Sequence, residues 1–554
     1  MRTRRSFLTA SAGSLIGLGL TGPLLAACAA TPQRANTPAS DSPRKGGTLR
    51  LAVATQADSW DPHTAATDIT SQLLRPVFDS LVATKGDGTF HPWLATSWRV
   101  TDDGLSYTFA LRTDVTFSDG EPFDADAVKA NFDRIVDPAT KSNYPASLLG
   151  PYAGTDVVDT HTVRIRMREP YSSLLQALST TFLGFHSPKA LRDHGGDLAG
   201  GGKHTATTGA FTFQSVVPGQ QAVFARRPGY AWGPATAAHT GEAYLDGIQV
   251  SFLTEDQTRV GALTSGQLDA ADQIPSSQVS ALRGRPGLTI LSGETPGTPY
   301  SYYLNTSRAP FDDPDVRRAF LHAVDVEGII KGVFRGEQLR ASSILSRVTR
   351  GYAKELESAV RFDRAEAERL LDKAGYTGRD SAGFRTKDGR TLRVDFPFAA
   401  DYTTHDRRLF DVAVQDSLKR VGFDVRLYAT DNANYAEKVV KGDYDVKAVA
   451  WGSADPALLR EIFHSTRLLR NGGGNQGMVR DTRLDEWLDD ARATLDLDKQ
   501  NELYRQVQQR VIDQAYALPA YAAKRNVGLR DKVRGLTFSS SGVLSLYDTW
   551  LAEP

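Results

Sequence analysis

The sequence predicts an α/β protein, because segments with the two-residue alternation of β-strands and segments with the spacing of amphipathic helices are mixed along the whole chain. The predicted strands, in chain order, are 47–54, 106–111, 160–167, 211–217, 425–428 and 446–450. The predicted helices, in chain order, are 68–81, 124–135, 315–334, 362–374, 409–421, 484–495 and 500–516.

Residues that favour the start or the end of an element stand at several of these boundaries. Asp124 and Asp363 are predicted N-caps, because a carboxylate accepts hydrogen bonds from the free amides of a first helical turn. Gly375 and Gly422 follow two of the helices and favour a helix end there. The dipeptide Asp103-Gly104 predicts a tight hairpin turn.

Composition excludes several classes of protein. The chain has 554 residues, with 65 Lys and Arg against 65 Asp and Glu, so its formal net charge is zero. That balance argues against a nucleic-acid binder with a general basic surface, and against an acidic disordered protein. A single cysteine excludes an intramolecular disulfide and any zinc or iron–sulfur site built from several cysteines.

The N-terminal residues 1–27 have the layout of a secretory signal peptide, with basic residues, an apolar stretch at 14–25 and then small residues. Arg4 and Arg5 lie in a segment that resembles the twin-arginine export motif. Cys28 ends a Leu-Ala-Ala-Cys segment that resembles a bacterial lipobox, in which the cysteine is acylated and becomes the new N-terminus. The alternative is a plain signal peptide cut just before Cys28, which then has no role.

The mature protein is therefore predicted to lie outside the cytoplasm, anchored to the cell membrane by lipid on Cys28. Each buried methylene of an acyl chain contributes about 0.8 kcal/mol, and stable anchoring takes more than one chain, as on a diacylated cysteine. Residues 28–46 are rich in Ala, Pro, Thr and Ser without apolar periodicity and are predicted to form a flexible tether. No later segment has the roughly 18 consecutive apolar residues of a membrane-spanning helix.

Sequence motifs for catalysis or metal binding do not emerge. There is no His-Glu-x-x-His pattern and no phosphate-binding Gly-rich loop with its Lys and Ser or Thr. The ten histidines are scattered, and none forms an i, i+4 pair. We therefore expect no catalytic residues, no metal site and no cofactor, although a dispersed triad of a hydrolase would leave no local pattern.

A series of motifs in a constant order points to a known family. They are His91-Pro92-Trp93-Leu94-Ala95, Tyr107-Thr108-Phe109, Thr208-Gly209-Ala210-Phe211, Leu304-Asn305-Thr306, Val316-Arg317-Arg318-Ala319, Gly442-Asp443-Tyr444-Asp445 and Trp451-Gly452. With these residues the chain resembles the family 5 extracellular solute-binding proteins of ABC importers, the group that contains oligopeptide-, dipeptide- and nickel-binding proteins. The resemblance covers 47–554, with Ala210 in place of the usual proline.

This resemblance implies a two-lobed, periplasmic-binding-protein-like bivalve of the class II or cluster C type, with an extra subdomain in the first lobe. Two connecting segments would act as a hinge, and a ligand bound between the lobes would favour the closed state. The predicted parts are a signal peptide at 1–27, a tether at 28–46, a first-lobe core at 47–75 with 208–300 and 525–554, the extra subdomain at 76–207, and a second lobe at 301–524.

The resemblance also implies which residues bind the ligand. Relatives contact the α-amino group of a peptide through a Trp-x-x-Asp segment, and here Trp451 is in place while Asp455 comes one residue late. Two interpretations stay open: Asp455 anchors an amine, or it caps the helix that begins near Pro456. Tyr303 and Asn305, at the Leu-Asn-Thr motif, are further ligand-binding candidates.

The implied function is capture of a peptide or a similarly sized solute and its delivery to a membrane permease with its ATPase, by a monomer that binds no nucleic acid. Within the same class, a binder of nickel chelates or other metallophores is an alternative, which the three methionines and dispersed histidines do not favour. A secreted hydrolase and a sensor without a transport role are the less favoured alternatives.

Overall fold

The computed structural model describes residues 42–400 and 403–552. The predicted signal peptide, export residues Arg4 and Arg5, lipidation site Cys28 and most of the tether lie outside the described residues. From Pro43 onward the chain forms one compact unit. Among the described residues no helix has the length and apolar character needed to cross a membrane.

The first part of the fold is built on a mixed, seven-stranded sheet. Its strands, in spatial order, are Leu288–Glu294, Lys524–Arg530, Ala270–Ala271, Thr48–Val53, Gly247–Phe252, Gln221–Arg226 and Phe211–Val217. Thr48–Val53 runs parallel to both of its neighbours, and the remaining pairs are antiparallel. We call the part of the chain around this sheet the first lobe.

A second, antiparallel sheet extends the first lobe. Its strands, in spatial order, are Ala95–Val100, Ser106–Leu111, Thr162–Met167 and Tyr152–Asp159. Helix Ala125–Val136 packs on this sheet, and its buried Phe132 belongs to the same apolar core as Leu51 of the large sheet. The extra segment and the large sheet therefore share one continuous hydrophobic core.

The second lobe is built on an antiparallel, four-stranded sheet. Its strands, in spatial order, are Leu339–Arg340, Ala517–Ala522, Gly297–Leu304 and Val446–Gly452. A parallel pair, Arg393–Ala399 with Asp424–Thr430, lies beside it. The chain passes between the lobes at 294–297 and 522–524, where the amide of Thr295 donates to the carbonyl of Ala523 at 3.0 Å.

The remaining elements are helices and short two- or three-stranded ladders. The helices are Asp68–Leu74, Ala125–Val136, Tyr144–Leu148, Leu174–Ala177, Pro188–His194, Asp256–Ser265, Ser276–Arg283, Pro314–Ala323, Val326–Phe334, Arg364–Lys373, His405–Val421, Asn432–Lys441, Leu458–Phe463, Thr482–Ala493 and Leu497–Asp513. The short ladders pair Val82–Thr84 with Phe90–Pro92, Gly378–Arg379 with Arg385–Lys387 and Arg390–Thr391, Val533–Arg534 with Trp550–Leu551, and Thr537–Phe538 with Leu544–Ser545.

The predicted α/β class is confirmed, together with the predicted caps. Asp124 accepts from the amide of Ala127, and Asp363 accepts from the amide of Glu366. The predicted division of the chain into lobes at residues 300 and 525 stays a prediction, and strand Gly297–Leu304 spans the first of these boundaries.

Two predicted helices were too long. The helix predicted at 68–81 ends at Leu74, because Pro76 has no amide hydrogen to continue the helical hydrogen bonds. The helix predicted at 315–334 is two helices: Val324 is extended, and the Asp325 side chain accepts from the amide of Gly328 to start the second one. An internal N-cap thus outweighs a continuous apolar periodicity.

Candidate functional site

A cavity of about 1720 Å³, open solvent at its mouth included, lies between the two lobes. The first lobe contributes Asp68, Trp93 and Tyr171 to its lining, and the second lobe contributes Trp451 and Asp455. Because both lobes contribute to its lining, the cavity depends on the relative position of the lobes. A concave site between lobes is the usual place for a small ligand.

Trp451 lies at the end of strand Val446–Gly452, where the strand reaches the cavity. Its amide donates to Thr298 Oγ1 at 2.9 Å, which ties it to the neighbouring strand. The indole Nε1 is buried and has no hydrogen-bond partner among the described residues. A buried indole N–H usually has a partner, so a ligand acceptor in the cavity would satisfy it.

Asp455 also lines the cavity, and it is engaged by its own lobe. Its Oδ1 accepts from the amide of Ala457 at 3.0 Å and lies 3.8 Å from Arg350 Nη2. The following helix begins at Leu458, two residues later than predicted. The N-cap of this helix is Ala457, so the interpretation of Asp455 as the cap of a helix that begins near Pro456 is wrong, although its side chain does order the turn before the helix. Contact of Asp455 with a ligand stays a prediction.

Tyr303 and Asn305 are not among the residues that line this cavity. Tyr303 is fully buried in the second lobe against Phe463, with 6.0 Å between the ring centroids. Asn305 Nδ2 donates to the carbonyls of Gly442 and Tyr444 at 3.1 and 2.8 Å. Tyr303 belongs to the apolar core on which Trp451 packs, and Asn305 makes hydrogen bonds within the second lobe, so the binding of a ligand by either residue stays a prediction.

Aromatic and hydroxyl side chains that the sequence analysis did not select make up much of the lining. The rings belong to Trp93, Tyr144, Tyr171 and Phe182 of the first lobe. Hydroxyl groups come mostly from serines and threonines, including the run 539–541 near the C-terminus. The cavity therefore offers flat apolar surfaces and neutral hydrogen-bonding groups, which suit an organic solute with polar substituents.

Three carboxylates and one guanidinium line the cavity: those of Asp68, Asp455 and Glu461, and that of Arg75. Arg75 donates to Ser80 Oγ and the carbonyl of Ser179, both at 2.8 Å. Burial lowers the pKa of Arg75 to about 10, and its guanidinium lies over the ring of Trp93 at 5.1 Å. These contacts within the first lobe hold the Arg75 side chain in place at the surface of the cavity.

Glu461 is neutralised within the second lobe. Arg467 binds it through two hydrogen bonds, Nε to Oε2 at 2.7 Å and Nη2 to Oε1 at 2.9 Å. A bidentate ion pair of this kind leaves little free charge for a ligand.

Asp68 differs from the other charged residues of the cavity, because its carboxylate makes no hydrogen bond or ion pair within the described residues. The Asp68 side chain is accessible to solvent. The surrounding protein raises the pKa of its carboxyl by partly burying it, and the positive charge of Arg525 lowers this pKa by a smaller amount. No local sequence pattern distinguishes Asp68, since it is one acidic residue among many and stands at the start of a predicted helix.

Asp61, His63 and His186 form a buried cluster outside the cavity, with ligand-type atoms within 4.8 Å of one another. The guanidinium of Arg134 binds two members of this cluster: Nη1 donates to His63 Nδ1 at 2.8 Å, and Nη2 donates to Asp61 Oδ2 at 2.5 Å. Burial lowers the pKa of His63 to about 3. The built-in cation makes this cluster a structural network rather than a metal site.

Comparison with known proteins gives a consistent result. The family model described as bacterial extracellular solute-binding proteins, family 5 Middle, matches residues 89–467. The probable D,D-dipeptide-binding periplasmic protein DdpA of Escherichia coli (strain K12) is 26% identical over 502 residues, which cover 89% of this chain and 91% of the relative. The nickel-binding periplasmic protein of the same strain is 27% identical over 453 residues, which cover 80% of this chain and 83% of the relative.

Among solved structures, NikA from Brucella suis in complex with Fe(III)-EDTA superposes with a TM-score of 0.81 at 27% identity, over 91% of this chain and 100% of that chain. The predicted two-lobed, periplasmic-binding-protein-like fold is therefore confirmed.

Proposed function

The chain belongs to the bacterial extracellular solute-binding proteins of family 5, and on that basis we propose that it captures a peptide or a solute of similar size between its lobes. The captured solute is then delivered to the permease and ATPase of an ABC importer. The observation that carries this proposal is the cavity, because both lobes line it and only their approach encloses a ligand. Capture by closure requires that the ligand binds the closed state more tightly than the open one.

The lining supports an organic solute of peptide size. Rings such as Trp93 and Trp451 give apolar contact that tolerates different side chains, and the serine hydroxyls can pair with amide or carboxylate groups. A relative is named for D,D-dipeptides and another for nickel. We extend the first of these ligand classes, short peptides, to this chain.

The protein is proposed to work as a monomer held at the outer face of the membrane through lipid on Cys28. We also propose that the protein binds its solute without converting it. Membership of a solute-binding family supports this, and three of the four charged groups in the cavity are already bound by protein partners. Delivery to a permease, rather than signalling, is the role that the family supports.

The test is to identify the solute that the full mature chain retains after purification, by native mass spectrometry. The same protein is then titrated with L-alanyl-L-alanine, D-alanyl-D-alanine, Ni²⁺ and Fe(III)-EDTA in a thermal unfolding assay. A dipeptide at 100 times its Kd should stabilise the protein by about 2.7 kcal/mol and be recovered unchanged. Stabilisation by the metal species alone, or chemical conversion of the dipeptide, would contradict the proposal.

A further inference from the structure

We infer that Asp68 selects the solute: its carboxylate binds a cationic group of the captured molecule, so that the protein prefers solutes with a protonated amine over the same solutes with that amine blocked. This inference rests on the proposed function of the interlobe cavity. The contact with the cationic group is thereby assigned to Asp68 of the first lobe, whereas the sequence offered Asp455 of the second lobe for it.

The charged residues that line the cavity differ in their contacts with the rest of the protein. Arg75, Asp455 and Glu461 each hold protein partners, whereas the Asp68 carboxylate has no such contact within the described part of the chain. The charge of Arg525 lowers the pKa of Asp68, but the Arg525 side chain is hydrogen-bonded to other groups. Within the described part of the chain, Asp68 is therefore the charged group of this lining whose carboxylate no protein group contacts.

Arg525 is held by three other groups. Its Nε donates to Asp272 Oδ1 at 2.9 Å, its Nη2 donates to Gln72 Oε1 at 2.6 Å, and its Nη1 donates to the carbonyl of Gly542 at 3.2 Å. Arg525 lowers the pKa of Asp68 only by its field and does not form an ion pair with it. A ligand cation can therefore reach the carboxylate without displacing a protein partner.

The Asp68 carboxylate lies where the two lobes meet. A Cβ added to Gly452 of the second lobe would lie 2.8 Å from Asp68 Oδ2 of the first lobe. Gly452 directly follows Trp451, so a cation bound by Asp68 lies at the same strand end as the unsatisfied indole. A ligand at this point touches both lobes, which couples its binding to closure.

An aromatic ring lies near the Asp68 carboxylate. Tyr144 lines the cavity near Asp68, and burial raises its pKa to about 12, with the Asp68 charge as the second cause. Aromatic faces attract cations, and protein that replaces water around a carboxylate strengthens its attraction for an opposite charge. A cationic group is the ligand chemistry that this environment favours.

The alternative is that Asp68 only favours the start of helix Asp68–Leu74. Thr67 and not Asp68 is the N-cap of this helix, and the Asp68 side chain makes no hydrogen bond within the described residues, so that effect would be limited to its charge. The matched control is Asp126, an exposed acidic residue in the first turn of helix Ala125–Val136 that does not line the cavity. Asp68→Asn and Asp126→Asn each remove one negative charge from the first turn of a helix.

The experiment measures binding of two probes, L-alanyl-L-alanine and N-acetyl-L-alanyl-L-alanine, to the full mature chain by isothermal titration calorimetry. We expect the wild type and Asp126→Asn to bind the free dipeptide at least about tenfold more tightly than its acetylated form, since a hydrogen bond to a charged group is worth at least about one decade. Asp68→Asn should lose this preference, and Asp68→Glu should retain part of it. Thermal unfolding without ligand checks that Asp68→Asn is folded.

The outcomes separate the two claims. If the wild type binds both probes equally, or if Asp68→Asn keeps the preference, the inference is overturned while the proposed capture of peptides stands. If the wild type binds neither probe, the proposed peptide class fails and this inference fails with it. A loss of preference in Asp126→Asn as large as in Asp68→Asn would assign the effect to helix charge and overturn the role of the cavity carboxylate.

Discussion

Trp451 is an aromatic residue that the second lobe contributes to the cavity lining, and its buried indole N–H has no hydrogen-bond acceptor among the described residues. We predict that Trp451→Ala weakens binding of the retained solute at least about tenfold, because truncation of a central aromatic residue in an interface costs about 2 kcal/mol or more. Calorimetric titration with the solute identified by mass spectrometry measures this loss.

The control for Trp451→Ala is Phe109→Ala, which removes a fully buried ring from the first-lobe core. Loss of a core aromatic costs about 3–5 kcal/mol of unfolding free energy, so its melting temperature should fall more than that of the Trp451 variant. Equal solute affinity of Trp451→Ala and the wild type would show that the binding site lies elsewhere.

At the scale of elements, strand Gly297–Leu304 and helix His405–Val421 share a buried carboxyl. Asp411 Oδ1 accepts from Tyr300 and Tyr302 at 3.2 and 2.6 Å. Burial raises the pKa of Asp411 to about 7, while these hydrogen bonds and Arg407 lower it. Tyr435 and Tyr521 are the other titratable neighbours, and burial keeps both neutral below pH 8.

This carboxyl predicts a pH dependence of stability. The folded protein holds the proton of Asp411 more tightly than the unfolded chain, so the contribution of this group falls as pH rises from about 4 to about 7. Asp411→Asn removes this titration. The unfolding free energy of the wild type minus that of Asp411→Asn should therefore decrease from pH 5 to pH 8, by at most roughly 1.4 kcal/mol per pH unit.

Denaturant unfolding at pH 5, 6, 7 and 8 measures this difference, and Asp416→Asn on the exposed side of the same helix is the control. A difference that is constant with pH would mean that Asp411 is ionised throughout this range, with the two tyrosines compensating its burial.

At the scale of the whole molecule, the lobes touch directly beside the cavity. Arg492 Nη1 of the second lobe lies 3.1 Å from Glu169 Oε2 of the first, and Gln500 Nε2 donates to Ser172 Oγ at 2.8 Å. We predict that Arg492→Ala weakens solute binding by about two- to fivefold and increases the radius of gyration of the liganded protein. A partly exposed ion pair of this kind is worth less than about 1 kcal/mol.

Calorimetry and small-angle X-ray scattering check this prediction against Arg505→Ala, which removes an ion pair with Glu502 inside the second lobe. If both variants bind and scatter like the wild type, the interlobe contact does not contribute to closure.

A further prediction at this scale concerns Cys28, the proposed site of the lipid anchor. We predict that Cys28→Ala moves the protein from the membrane fraction to the soluble fraction or leaves it unprocessed, because the acyl chains can no longer be attached. Fractionation and the mass of the processed chain measure this. A variant that remains membrane-bound and is cleaved normally would contradict the lipid anchor.

The sequence predicted individual elements well where a local residue sets them. Asp124 and Asp363 cap their helices as expected, since an N-cap needs only neighbours in the chain. It failed at Asp325, where an internal cap divides an apolar pattern that is otherwise continuous. Of the ligand candidates, Trp451 and Asp455 line the cavity, whereas Tyr303 and Asn305 are held inside the second lobe.

By itself, the sequence determined the family and the α/β class, because turns, caps and aromatic anchors are encoded in short segments whose order along the chain is characteristic. Only the tertiary structure decided which charges are free. Asp68 and Asp455 are both single acidic residues near a helix start. Their difference lies in Arg350, which lies 3.8 Å from Asp455, and in Gly452, which lies close to Asp68 from the other lobe. The availability of a charge depends on partners brought from distant parts of the chain, and that information is absent from any local pattern.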